Sequence, residues 1–359
     1  MPLSYRENYL RNASFQYPEF TPMHIGISGA SWDQWRDEME VVVARHPKIW
    51  PDFEKGKRDW GTVDFGGGYT AGERFKDAWG CVWETSINGI EGVVVEAPLD
   101  PWENWDSWQA PDPLKTADRG PVDWDEIRRE TADKKQRGDL TGGGLPHGFL
   151  FMRLTYLRGF ENMMLDMALE HPKLWKLIDV LYDHNRVLVD QYLDMGVDMM
   201  SIGEDLGTQT ASIISPEMFR KYCKPTYEKL LEPCRERDMH VMQHSDGYIM
   251  DLIDDLMMAG VTIINPQDLC NGIENLRREF KGKVCIRLDV DRQTVVPYGT
   301  RQEIRDLIEE EVRVLGSKKG GLEFICGIYP PTSPDNVDAV ACAFEEFQTY
   351  WFDGRGKEE

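Results

Sequence analysis

Side chains able to do chemistry recur at the ends of short apolar runs in this chain. Glu204 and Asp205 follow VDMMSIG (197–203), and His244, Ser245 and Asp246 follow MHVMQ (239–243). Gln267 and Asp268 come just after VTIIN (261–265). VCIRL (284–288) leads into Asp289, Asp291, Arg292 and Gln293, and LEFI (322–325) runs into Cys326. Imidazole and thiolate are preferred ligands of zinc, which accepts mixed nitrogen, sulfur and oxygen donors in a tetrahedron. A catalytic zinc keeps one position open, so three protein ligands suffice. His244 and Cys326 form the pair with that chemistry, and Glu204, Asp205 and Asp246 are candidates for the third place. On spacing alone the competing reading is a hydrogen-bonded histidine at a strand end and a core cysteine.

These residues need a scaffold that brings strand ends together. From Gly148 onward, apolar runs alternate with helical segments. The expected strands are 149–154, 197–203, 239–244, 261–265, 284–290 and 322–326, with MHIGI (23–27) earlier and VVVEA (93–97) as a weaker one. Helix starts are legible at Ser215-Pro216, at Thr300 with Glu303 three residues on, and at Ser333-Pro334. Alternation with short connections implies a parallel sheet. At 359 residues a closed (β/α)8 TIM barrel is favoured over an open sheet, which would show a Gly-rich phosphate turn after its first strand. The expected organisation is one barrel domain over residues 1–359. A Trp/Gly-rich, loop-rich insertion region over about residues 50–146 is expected to cover one barrel end. In such barrels the active site lies at the carboxyl ends of the strands, where the residues above fall.

Bulk composition narrows the function further. The formal net charge of −22 repels phosphate backbones and argues against nucleic-acid binding. No apolar run is long enough for a membrane helix, and the polar opening carries no secretory signal, so a cytoplasmic location is expected. Seven widely spaced cysteines without a CxxC fit reduced thiols rather than a disulfide framework. Ten of the twelve tryptophans lie before residue 125. They read either as a pocket for a methoxylated aromatic ring or as filler between insertion and barrel.

The stretch EDLGTQTASIISPEMFRKYCKPTYEKL (204–230), with HSDG (244–247) and INPQ (264–267), resembles the uroporphyrinogen decarboxylase superfamily. CGIYPPTSPDN (326–336) is similar to the ending of that superfamily's zinc-dependent, corrinoid-linked methyltransferase branch. RENYLRNASFQYPEFTPMHIG (6–26) and RFKDAWGCVWE (74–84) look like its amino-terminal half. The likeness covers most of the chain and is weakest over about 100–145. True decarboxylases open with an arginine-rich segment that binds a carboxylate-rich substrate. The matching TPMHIGISGASW (21–32) has no arginine, which points away from tetrapyrrole decarboxylation.

The branch holds zinc with a His-x-Cys pair and a distant cysteine. His244 matches the histidine and Cys326 the distant cysteine, while Asp246 stands where the other cysteine is expected. Either Asp246 or Glu204 supplies oxygen in place of sulfur, or HSDG is a metal-free substrate-binding turn. The resemblance implies methyl transfer between a small-molecule donor, for instance a methyl ether, and a corrinoid (cobalamin) carried on a separate protein. Glu204, Asp205 and Asp246 are its expected catalytic carboxylates. His244, Cys326 and Glu204 are the expected zinc ligands. Gln209, Gln267, Asp291, Arg292 and Gln293 are expected at the substrate, with Arg292 alternatively ion-paired to a neighbouring aspartate. A homodimer is one assembly compatible with this reading. The rivals are a metal-free decarboxylase or lyase and a non-catalytic ligand-binding homologue.

Overall fold

The computed structural model describes residues 2–60 and 63–357. Ten strands are numbered along the chain: β1 (Met23–Ile27), β2 (Arg74–Lys76), β3 (Val82–Glu84), β4 (Val93–Glu96), β5 (Gly142–Gly144), β6 (Met199–Gly203), β7 (His240–Ser245), β8 (Ile263–Pro266), β9 (Cys285–Asp289) and β10 (Leu322–Ile328). The chain groups into two compact units. One comprises Met1–Ala71, Ser86–Glu91 and Pro266–Glu359; the other comprises Gly72–Thr85 and Gly92–Asn265.

In the first unit the strands run parallel in the order β1–β10–β9, with Ile25 opposite Cys326 and Phe324 opposite Leu288. Gln267, just past β8, makes a parallel bridge to Asp289. Parallel strands are covered on their faces, and β10 accordingly buries Leu322, Phe324, Cys326 and Ile328. Two helices, Arg301–Leu315 and Pro334–Phe347, supply much of the cover. The first begins in a capping box between Thr300 and Glu303, and the second at Ser333 with proline in its first turn, both as the sequence predicts. Ile304, Ile308 and Val312 on one, and Val337, Val340 and Phe344 on the other, are buried, each side chain worth about 1.5–3 kcal/mol.

In the second unit β5, β6 and β7 pair in parallel and β8 follows β7. A separate antiparallel sheet, β2–β3–β4, is pinned by Arg74, which bonds Glu84 and reaches Glu96 at 2.8 Å. The predicted strands at 23–27, 197–203, 239–244, 261–265, 284–290 and 322–326 are all present.

Four expectations change. Residues 149–154, expected as a strand, enter a helix, Phe151–Arg158. The Glu204 carboxylate accepts the N–H groups of Leu150, Phe151 and Met152, so a tertiary acceptor builds a helix start that no local cap announces. VVVEA does form β4, but it pairs antiparallel in the small sheet. The strand next to β6 is Gly142–Gly144, which no apolar pattern marks. A Cβ on Gly143 would lie 2.3 Å from the Tyr192 ring, and one on Gly144 would lie 2.6 Å from the Ser201 carbonyl oxygen, so close backbone approach requires glycine at both. The region read as loop-rich also holds a helix, Trp124–Arg137, capped by Asp123. No cysteine is bridged, and Cys342 alone of the seven is exposed.

Candidate active site

In the second unit the carboxyl ends of β5, β6 and β7 place three side chains together. His147 lies three residues past β5, Asp205 two past β6, and His244 within the last two residues of β7. The His147 Nε2–H donates to Asp205 Oδ1 at 3.2 Å, and the two imidazole rings are tilted with centroids 5.7 Å apart. A metal-ligating atom from each of His147, Asp205 and His244 lies within 4.8 Å of the others. Gly203, ending β6, makes room: a Cβ there would meet the His147 ring at 2.8 Å.

The surrounding hydrogen bonds orient this group. His244 Nδ1–H donates to Asn265 Oδ1 at 2.9 Å, which fixes the ring and turns Nε2 outward, 3.3 Å from Asp246 Oδ1. The Asp246 N–H donates to Asp205 Oδ1 at 3.3 Å. Buried Ser245 closes the turn by accepting the Leu206 N–H and donating to the Asp246 carbonyl. Burial alone would lower the His147 pKa. The hydrogen bond to Asp205 and the charges of Asp205, Glu204 and Asp246 outweigh it and raise the pKa above the ordinary histidine value.

Glu204 has another task. It is fully buried, and three peptide N–H groups at the start of helix Phe151–Arg158 take both its oxygens. Burial pushes its pKa up to about 7, against the lowering effect of those bonds and of His147. As placed, Glu204 anchors a helix, and the oxygen beside the two histidines comes from Asp205.

The first unit carries its own polar cluster. Cys326 on β10 is buried, and its thiol pKa is pushed well above the usual value by burial and by Asp289, Asp268 and Glu311, with Arg292 acting the other way. Arg292 pairs with Asp289 at 3.5 Å and stands 5.3 Å over the Tyr329 ring, so the neighbouring-aspartate alternative is the arrangement found. Asp291 folds the turn into helix Val295–Tyr298: its oxygens accept the N–H groups of Gln293 and Thr294 at 2.9 Å and the Thr294 hydroxyl at 2.5 Å. Gln267 is buried, with Oε1 3.7 Å from the Cys270 sulfur, whereas Gln209 and Gln293 are exposed. Burial raises the Asp268 pKa to about 6, although its Oδ2 accepts the Asp291 N–H at 2.8 Å. A second histidine group in this unit, His46, Asp338 and Cys342, has its carboxylate already paired with Arg45 at 3.2 Å and Arg301 at 2.6 Å.

Sequence reasoning missed His147 and Asn265. His147 follows a strand of glycines that hydropathy cannot reveal, and Asn265 reads as the unremarkable end of a strand. The usable signal for His147 was a histidine just after a glycine run that leads into an apolar segment.

Strand–helix alternation with metal-ligating residues at strand ends defines an α/β protein of the barrel class. The family model of uroporphyrinogen decarboxylase (URO-D) matches residues 77–347, and the chain belongs to that family. A methyltransferase from Methanosarcina mazei is similar over 95% of this chain and 98% of its own, with a TM-score of 0.65 at 16% identity, which shows the fold. A looser likeness, TM-score 0.41 at 13% identity over 64% of this chain and 66% of the other, is to a B12-independent methionine synthase from Shewanella sp. W3-18-1. No curated protein matches the chain. Among the described residues no helix is long and apolar enough to cross a membrane.

Proposed function

We propose that this chain is a zinc-dependent methyltransferase that moves a methyl group between a small-molecule donor and a corrinoid held by a separate protein. The observation that carries the reading is the convergence of His147, Asp205 and His244 at three neighbouring strand ends. Two imidazoles and one carboxylate form a donor set that suits zinc and leaves a position open. The relative from Methanosarcina mazei, named a methyltransferase, supports the reaction class. In the zinc-loaded protein the ion would supply Lewis acidity at the atom that loses or gains the methyl.

The chain's own residues prepare that chemistry. Asn265 fixes the His244 ring through Nδ1 and leaves Nε2 as the nitrogen that would face the ion. The 3.2 Å bond keeps His147 and Asp205 together and would give way to the ion on loading if Nε2 is the ligand, and the Asp246 N–H orients Asp205. With no sulfur among them, the two histidines and Asp205 make a harder set than the branch's histidine and two cysteines, which favours a donor whose leaving atom is oxygen or nitrogen over a thiolate acceptor.

The test is the metal content of wild type and variants by plasma mass spectrometry without chelator, followed by methyl transfer to a reduced corrinoid protein. About one zinc per chain in wild type, lost in both His147→Ala and His244→Ala, is the expected result. A folded wild type without stoichiometric metal overturns the zinc reading in favour of a metal-free lyase. Cys326→Ser belongs in the same series, because the resemblance makes Cys326 a ligand. Loss of the ion there adds Cys326 to the set, and retention confines the set to the histidines and Asp205.

A further inference from the structure

One turn beyond the carboxyl end of β1, the first unit holds an open cleft of about 590 Å³ that the metal reading does not use. Its walls are aromatic. Trp32 and Trp60 have ring centroids 6.1 Å apart, and Phe65 and Tyr69 complete the lining. Phe53 stacks on Trp32 with centroids 5.9 Å apart and planes 17° apart, which helps to fix that indole. Trp32 is buried, while Trp60, Phe65 and Tyr69 are half-buried and present ring surface to the cleft.

The charge of the lining is unequal. Asp33, Asp59 and Asp64 line it with Arg58; Asp33 is already paired with Arg36 at 2.7 Å, which leaves Asp59 and Asp64 against one guanidinium. That guanidinium lies 3.9 Å from the Trp32 ring centroid and 5.9 Å from that of Trp60. The protein's own side chain thus shows that these faces accept a delocalised, weakly hydrated cation. Arg58 is exposed, so moving it into solvent costs little packing.

We propose that this cleft binds a ligand carrying a methylated ammonium group, the aromatic rings supplying cation–π attraction and the carboxylates long-range attraction. In this arrangement Arg58 occupies part of the cage in the free protein and gives way to the ligand. A compact, strongly hydrated ammonium is less suited, because desolvation is expensive, whereas methyl groups spread the charge and match ring surfaces. The negative balance of the lining argues against an anionic ligand. The inference stands on the cleft alone and is independent of metal content.

The test is binding rather than turnover. Choline and its neutral isostere 3,3-dimethylbutan-1-ol are titrated into the full-length wild type by tryptophan fluorescence and calorimetry. Choline is expected to bind about tenfold more tightly than the isostere. Trp60→Leu, at a half-buried position, weakens choline binding several-fold. Arg58→Ala tightens it, because the competing internal cation is gone. Equal binding of the isostere overturns the proposal, as does the absence of saturable binding. Weaker choline binding in Arg58→Ala overturns it too. 4-Methoxybenzoate is the counter-probe: preference for it over choline, abolished by Arg58→Ala, makes the cleft an aryl-anion site instead. Wild-type-like circular dichroism of both variants keeps a folding defect from imitating these outcomes.

Discussion

Asn265 is buried, and its side-chain oxygen decides which nitrogen of His244 faces outward. If the proposed zinc site forms, Asn265→Ala lowers its affinity by about 10–100-fold while leaving the fold intact, measurable by competition with a metal chelator. Glu204→Ala should act differently. Three N–H groups lose their acceptor in a buried place, costing about 2–4 kcal/mol, read as a lowered midpoint in urea. An unchanged midpoint would refute the anchoring role. At this scale the sequence was partly legible. His244, Asp205 and Asp246, which the structure places side by side, all follow apolar strands in the sequence. Glu204 looked equally chemical because side-chain type does not reveal that both its oxygens face a helix start. Asp291 misled for the same reason, being the acceptor that folds a turn.

The glycine strand β5 sets His147 in place, and it does so without a side chain of its own. Gly143→Ala should push Tyr192 and the β5–β6 pairing apart and cost about 2 kcal/mol or more, with loss of bound metal following loss of register. Thermal melts and metal content together check this. Helix Arg301–Leu315 carries a second testable feature. Glu311 falls fully buried on the same face as Ile304, Ile308 and Val312, against the carboxyl group of Asp268. Burial, and then Asp268 and Asp291 beside it, raise its pKa well above the ordinary value. An acid whose folded pKa is raised binds its proton more tightly when folded. The stability it permits at low pH is therefore lost as pH climbs from the unfolded pKa towards the folded one. Glu311→Gln removes that loss. Its melting temperature relative to wild type should rise between pH 5 and pH 8, by roughly 2–4 °C for each kcal/mol relieved. A constant difference between the two pH values would count against the assignment. Strands with apolar, β-branched sequences and helices with side-chain caps were legible. The helix at 151–158 and the strand at 142–144 were not, because a distant carboxylate builds one and the absence of side chains permits the other.

A net charge of −22 is a property of the whole chain. Under the proposed function, a corrinoid carrier that presents a basic face should associate faster at low ionic strength. Raising salt from about 0.05 to 0.5 M should slow association by roughly tenfold, as read by stopped-flow, with a smaller effect on dissociation. The barrel class was readable from the rhythm of strands and helices, and the family model spans residues 77–347, including much of the region where that rhythm is weakest. What the rhythm could not show was the antiparallel β2–β3–β4 sheet, whose short strands carry no long pattern. The cysteine distribution has a practical side. With Cys342 the one exposed thiol of seven, brief maleimide treatment of the native protein should attach a single label, seen as one adduct by intact mass. The wild-type chain thus comes with a built-in address for a fluorophore or spin probe on helix Pro334–Phe347, and the arrival of a partner can be watched without engineering a site.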